Sequence, residues 1–215
     1  MNTPTKITFS RIIAIVVMIL TLVVLYFVGT FNRDFVIPNI GNSGINWLFF
    51  GLFVFFVLAS FTDFLDGYLA RKNNQVTDFG KFLDPVADKL LVNSMVIFLV
   101  APSIAAPYAH NGQMNFSLWC ALLLVARDIV VDALRFIAAQ KGIVIAANIF
   151  GKAKTVLEMV AVSLVLLNGW PFIYFDVDWP VRIADVFVYL CTAASLISGI
   201  IYVSKYAYVF KGDKK

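Results

Sequence analysis

Apolar residues along this chain gather into six long runs, separated by stretches marked by Pro, Gly, Asn, Asp and basic residues. The runs cover Ile12–Phe31, Ile45–Arg71, Pro85–Ala101, Phe116–Gln140, Lys152–Gly169 and Arg182–Tyr206. A helix needs roughly 20 apolar residues to cross the hydrocarbon core of a bilayer, and each run is about that long or longer. The pattern predicts an all-α integral membrane protein with six transmembrane helices, forming a single membrane domain over residues 1–215. No small-residue cleavage site closes the first run, so it reads as an anchor and not a removable signal. The segment before it, Thr3 to Arg11, is mixed in character with Pro4 near its start, which predicts a short juxtamembrane helix lying in the interface.

Charge then orients the bundle. Of 17 Lys and Arg residues, only Arg33 and Arg182 fall on the far side if both termini face the cytoplasm. That leaves 17 − 2 = 15 on the cytoplasmic side, a strong positive-inside bias. The expected location is the cell membrane, multi-pass, with both termini cytoplasmic. The composition agrees: 61% of residues are hydrophobic and 14% charged, against ~45–50% apolar in soluble domains. The net charge of +4 follows from topology and contact with anionic membrane lipid, so no nucleic acid is implied. Cys120 and Cys191 sit inside apolar runs, where a thiol behaves as a small hydrophobe.

Five of the 13 acids crowd between Asp63 and Asp88, around the join of the second and third runs. At about 100° per residue, Asp63, Asp66, Gly67 and Ala70 share one helix face, and Gly80, Asp84 and Asp88 share another. Two carboxylate pairs can therefore converge, while Asp78 is off the pattern and reads as a turn or cap residue. Clustered carboxylates repel and call for a cation; hard oxygen ligands in this number suit Mg²⁺ or Mn²⁺, possible as a bridged pair of ions. The small residues on the same faces leave space for a bulky ligand, and Arg71 can meet a phosphate. Ordinary salt bridges to Arg71, Lys81 and Lys89 are the plain alternative, but acids near a membrane core are costly and mark function.

The run Asp63-Phe-Leu-Asp66-Gly67-Tyr-Leu-Ala70-Arg71, eight further residues, then Gly80-Lys-Phe-Leu-Asp84-Pro-Val-Ala-Asp88 resembles the signature of the CDP-alcohol phosphotransferase family at every fixed position. The resemblance implies six transmembrane helices, a two-metal site, a homodimer, and transfer from a CDP-linked donor, here CDP-diacylglycerol, with release of CMP. It also implies that Asp63, Asp66, Asp84 and Asp88 hold the metals, that Asp88 is in addition the catalytic general base, and that Asp66, Gly67, Ala70, Arg71 and Gly80 line the CDP site. Chemistry points the same way, because an alcohol is a poor nucleophile until a carboxylate takes its proton.

The acceptor is read from other segments. Residues Asn2 to Arg11, the pair Arg127 and Arg135, and Gly151-Lys152-Ala-Lys154-Thr155 are similar to the phosphatidylglycerophosphate synthase branch of the family, which implies glycerol 3-phosphate as acceptor. This chain departs from that branch at Thr5, where Asn is expected, and at Asp128, where Glu is expected. Arg127, Arg135, Lys152 and Lys154 cluster near the ends of the fourth and fifth runs, as a phosphate-bearing acceptor needs. A purely topological role stays open, with Arg135 pairing Asp132. Glu158 reads as the partner of Lys154 one turn earlier, and Ser195 with Gly199 as a small-residue pair that permits close helix packing or a dimer seam. Inositol phosphate, or phosphatidylglycerol as in a cardiolipin synthase, remain alternative acceptors. A cation transporter is the competing class, disfavoured because the acids crowd at one face instead of lying mid-membrane in both halves.

Overall fold

The computed structural model describes the backbone of residues 3–32, 36–41, 45–72, 78–101, 114–142, 149–172 and 182–206, with all side chains of these except 3–7, 64–72 and 78–85. Among the described residues the fold is all-helical: α1 (Thr3–Phe31), α2 (Trp47–Lys72), α3 (Asp78–Val100), α4 (Leu118–Gln140), α5 (Ile149–Leu166) and α6 (Ile183–Tyr206). Each helix overlaps one apolar run. Thr8–Phe31 and Ile183–Tyr206 are by themselves long and apolar enough to cross a membrane, and Trp47–Asp63 is a shorter apolar stretch.

Two starts differ from expectation. The separate juxtamembrane helix does not exist as such, because Thr3 to Phe31 is one continuous helix of 29 residues, about 43 Å long at 1.5 Å per residue. Pro4 lies in the first turn, where its missing N–H costs no intrahelical bond, and nothing between Lys6 and Arg11 interrupts the backbone. The third helix starts at Asp78, ahead of the apolar run that begins at Pro85, so Pro85 lies inside it and Gly80, Asp84 and Asp88 belong to one helix as their spacing predicts. One proline removes one backbone bond, and in membrane helices that loss is tolerated where neighbours compensate.

The chain divides into two compact units, residues 1–115 with 165–170, and residues 116–164 with 171–215. In the first, α1 packs on α2 and α3. Thr8, Arg11, Ile15 and Met18 form its buried line, three to four residues apart as one helix face requires. Ile13, Val16, Val17, Leu20, Val24 and Phe27 are exposed on the same helix, an apolar surface suited to lipid and not to water. The α2 and α3 helices run antiparallel from the short 73–77 connection, and at their far ends the rings of Phe49 and Phe98 lie 5.8 Å apart. Asn46 caps α2, its Oδ1 accepting from the Leu48 N–H at 2.9 Å while its Nδ2 donates to the Ile37 carbonyl at 2.7 Å.

In the second unit α4 packs along α6. The buried stripe of α4 runs Cys120, Leu124, Asp128, Val131, Leu134 and Ala138, apolar except for one carboxylate at its centre. The facing stripe of α6 contains Cys191, Ser195, Ser198, Gly199 and Tyr202. Arg127 meets Ser195 and Ser198 and Arg135 meets Tyr202, so the two helices run parallel, as helices two spans apart must. The expected close approach at Ser195 and Gly199 is thus made within the chain. Both cysteines are free and buried.

Candidate active site

The acid-rich end of α2 and the start of α3 are joined by only the 73–77 segment, and both are helical through the signature. Asp63 and Asp66 are therefore one turn apart on α2, and Asp84 and Asp88 one turn apart on α3. Asp63 forms an ion pair with the Arg11 Nη1 of α1, whose side chain is 4% exposed against 37% for Asp63. A guanidinium buried in an apolar bundle is stable only when paired, and the α1 stripe delivers it to this acid. The side chains of Asp66, Gly67, Ala70, Arg71, Gly80 and Asp84 lie outside the described residues; Asp88 is half-buried on α3. Among the described residues no three acid, His or Cys side chains gather, since only two of the four signature carboxylates are described. The signature carboxylates offer only hard oxygen donors, the kind a divalent cation takes, and Asp63 is in addition paired with Arg11.

The pairing of Arg11 with Asp63 is not foreseen from the sequence, which counts Arg11 in the charge bias and in the Asn2–Arg11 segment. The available signal was its place on the 8–11–15–18 line, where every other member is uncharged and buried.

The basic residues separate into two kinds. Arg127 and Lys154 are drawn together by Asp128, which is 2% exposed. The Arg127 Nη1 donates to Asp128 Oδ1 at 2.9 Å, and the Lys154 Nζ reaches Oδ1 at 3.1 Å and Oδ2 at 2.9 Å. Glu158 completes a quartet, its Oε2 being 2.6 Å from Lys154 Nζ in the expected i,i+4 pair. Lys154 and Glu158 are 2% and 3% exposed. The remaining Arg127 bonds go to α6: Nε to the Ser195 carbonyl at 3.2 Å and Nη2 to Ser198 Oγ at 2.8 Å. Two cations and two carboxylates balance, and removing one partner of such a buried pair costs on the order of 3–5 kcal/mol.

Arg135 lies two turns along α4. Its Nη2 donates to the Tyr202 hydroxyl at 2.8 Å with the guanidinium carbon 5.1 Å from the ring centre; it bonds here and not to Asp132. Its Nε is buried without a hydrogen-bond partner among the described residues. Lys152 is exposed, about 200° around α5 from Lys154. The structure therefore joins Arg127 to Lys154 and leaves Arg135 and Lys152 outside that network.

The family model described as CDP-alcohol phosphatidyltransferase matches residues 1–200. A Bacillus subtilis protein named CDP-diacylglycerol--glycerol-3-phosphate 3-phosphatidyltransferase is 36% identical over 204 residues, 95% of this chain and 94% of that protein. Proteins of the same name from Rickettsia bellii and Escherichia coli are 34% identical, over 100% and 77% of this chain and 96% and 76% of their own lengths. With the signature acids on adjoining helices and similarity running along the whole chain, this protein belongs to the CDP-alcohol phosphatidyltransferase family.

Proposed function

We propose that this enzyme transfers a phosphatidyl group from CDP-diacylglycerol to sn-glycerol 3-phosphate, giving phosphatidylglycerophosphate and CMP in phospholipid synthesis. The observation that carries the reading is near-full-length similarity to proteins named for that reaction. Asp63, Asp66, Asp84 and Asp88 would hold two divalent ions, Mg²⁺ or Mn²⁺. When bound, such ions neutralise charge on the pyrophosphate oxygens. Asp66, Gly67, Ala70, Arg71 and Gly80 form the CDP site, with the two glycines and the alanine leaving room for the nucleotide. Asp88 takes the proton of the acceptor hydroxyl, a task suited to a half-buried carboxylate within a turn of Asp84.

Arg127, Arg135, Lys152 and Lys154 attract the acceptor phosphate. Asp128 and Glu158 balance two of these charges, so Arg135 and Lys152 supply the surplus. The chain forms one membrane domain of six spans, with both termini and the site on the cytoplasmic face of the cell membrane, and works as a homodimer. Supporting this topology are the six helices among the described residues, the antiparallel α2 and α3, the parallel α4 and α6, and the charge bias along the chain.

The test is to incubate purified enzyme with CDP-diacylglycerol, Mg²⁺ or Mn²⁺, and glycerol 3-phosphate, inositol phosphate or phosphatidylglycerol in turn, and to identify the lipid formed. Phosphatidylglycerophosphate is the expected product. Failure to release CMP with any acceptor, together with cation flux in vesicles, would replace the enzyme reading with a transporter.

A further inference from the structure

We infer that Asp128, together with Ser198, is a positioning residue that aims Arg127 at the acceptor phosphate; this rests on the acceptor reading above. A guanidinium has five N–H donors. Among the described residues three of the Arg127 donors are engaged, by Asp128, Ser198 and the Ser195 carbonyl, which fixes the plane of the group and leaves two to present to a ligand. Asp128 cannot swing to follow Arg127, because Lys154 grips both of its oxygens and Glu158 holds Lys154 in turn.

Stability alone does not explain this arrangement. Apolar side chains of similar volume are commonly as stable as a buried ion pair or more so, and both neighbouring stripes are otherwise uncharged. The quartet does one thing an apolar core cannot: it holds a guanidinium in a single orientation with donors in reserve. Bidentate recognition of a phosphate depends on such an orientation.

The test begins with wild-type enzyme, whose accepted alcohol is established by product analysis. Michaelis constants for that acceptor and for CDP-diacylglycerol are then measured in Asp128→Asn, Asp128→Glu and Ser198→Ala, with thermal unfolding in detergent alongside. Asp128→Asn should raise the acceptor constant ~10–100-fold, the range for one charge-assisted bond, and leave the CDP-diacylglycerol constant within about twofold. Asp128→Glu keeps the carboxylate and should restore most of the acceptor affinity. Ser198→Ala, which removes no charge from the bundle, should raise the acceptor constant several-fold and decides the matter if Asp128→Asn does not fold. Unchanged acceptor constants, or equal rises for both substrates, would reduce Asp128 and Ser198 to packing residues. A wild-type enzyme that prefers an acceptor without phosphate overturns the acceptor reading and this inference together; one that uses another phosphorylated alcohol overturns only the first.

Discussion

Gly199→Ala probes the same guanidinium by volume instead of charge. An added Cβ at position 199 would stand 2.9 Å from the Arg127 Cγ and 3.5 Å from its Nε, where unstrained carbon contacts begin at about 3.5 Å. Gly199 lies within α6, and alanine is favoured over glycine in a helix interior by about 1 kcal/mol. Overpacking opposes this by roughly 1–3 kcal/mol, so net stability should change between nearly nothing and a loss of about 2 kcal/mol. The Arg127 stem must give way near its root, which carries the guanidinium with it. The 3.2 Å bond from Nε to the Ser195 carbonyl is the longest of the three and goes first. A hydrogen bond to a charged group is worth roughly 1.5–3 kcal/mol, and each 1.4 kcal/mol is about tenfold in an equilibrium constant. Because the displaced guanidinium forfeits one such bond to the acceptor phosphate, the Michaelis constant for glycerol 3-phosphate should rise about 10–100-fold. CMP release at saturating levels of the second substrate measures it, with thermal unfolding in detergent as the control. A variant with the wild-type acceptor constant would show that Arg127 placement does not govern acceptor binding, and parallel losses for both substrates would point to general damage to the bundle.

Three further outcomes are expected. Asp66→Ala and Asp84→Ala should each abolish turnover while the protein still inserts and folds, Asp63→Ala should abolish turnover and also lower stability because it leaves the buried Arg11 unpaired, and chelation should silence the wild type; full turnover after chelator treatment would contradict a metal site. Asp88→Asn keeps an oxygen ligand but cannot accept a proton, so turnover at saturating substrates should fall ~10²–10⁴-fold with little change in CDP-diacylglycerol binding, and near-normal turnover would remove Asp88 as the base. Arg135→Ala should raise the glycerol 3-phosphate constant roughly 10–100-fold and barely move that for CDP-diacylglycerol; if unphosphorylated glycerol served the wild type equally well, the basic cluster would have no role in acceptor choice.

The six helices among the described residues and the acid signature could be read along the chain because both are local. Apolar length sets a helix in a bilayer, and spacing of three or four residues sets which acids share its face, so Asp63 with Asp66 and Asp84 with Asp88 needed no tertiary information. The Lys154–Glu158 pair was legible for the same reason, being one turn apart on α5. Helix starts were less so: Pro85 and the mixed Thr3–Arg11 segment look like boundaries locally, yet the backbone runs through both. Three pairings belong to the tertiary structure alone. Arg11 reaches Asp63 across 52 positions of sequence, Asp128 collects Lys154 from another helix, and the Arg127 stem fits against α6 only because residue 199 lacks a Cβ. Periodicity states which face a residue occupies but not which helix that face meets. For charged groups in a membrane bundle that partner decides everything: the same lysine is a surplus cation at position 152 and a neutralised one at position 154.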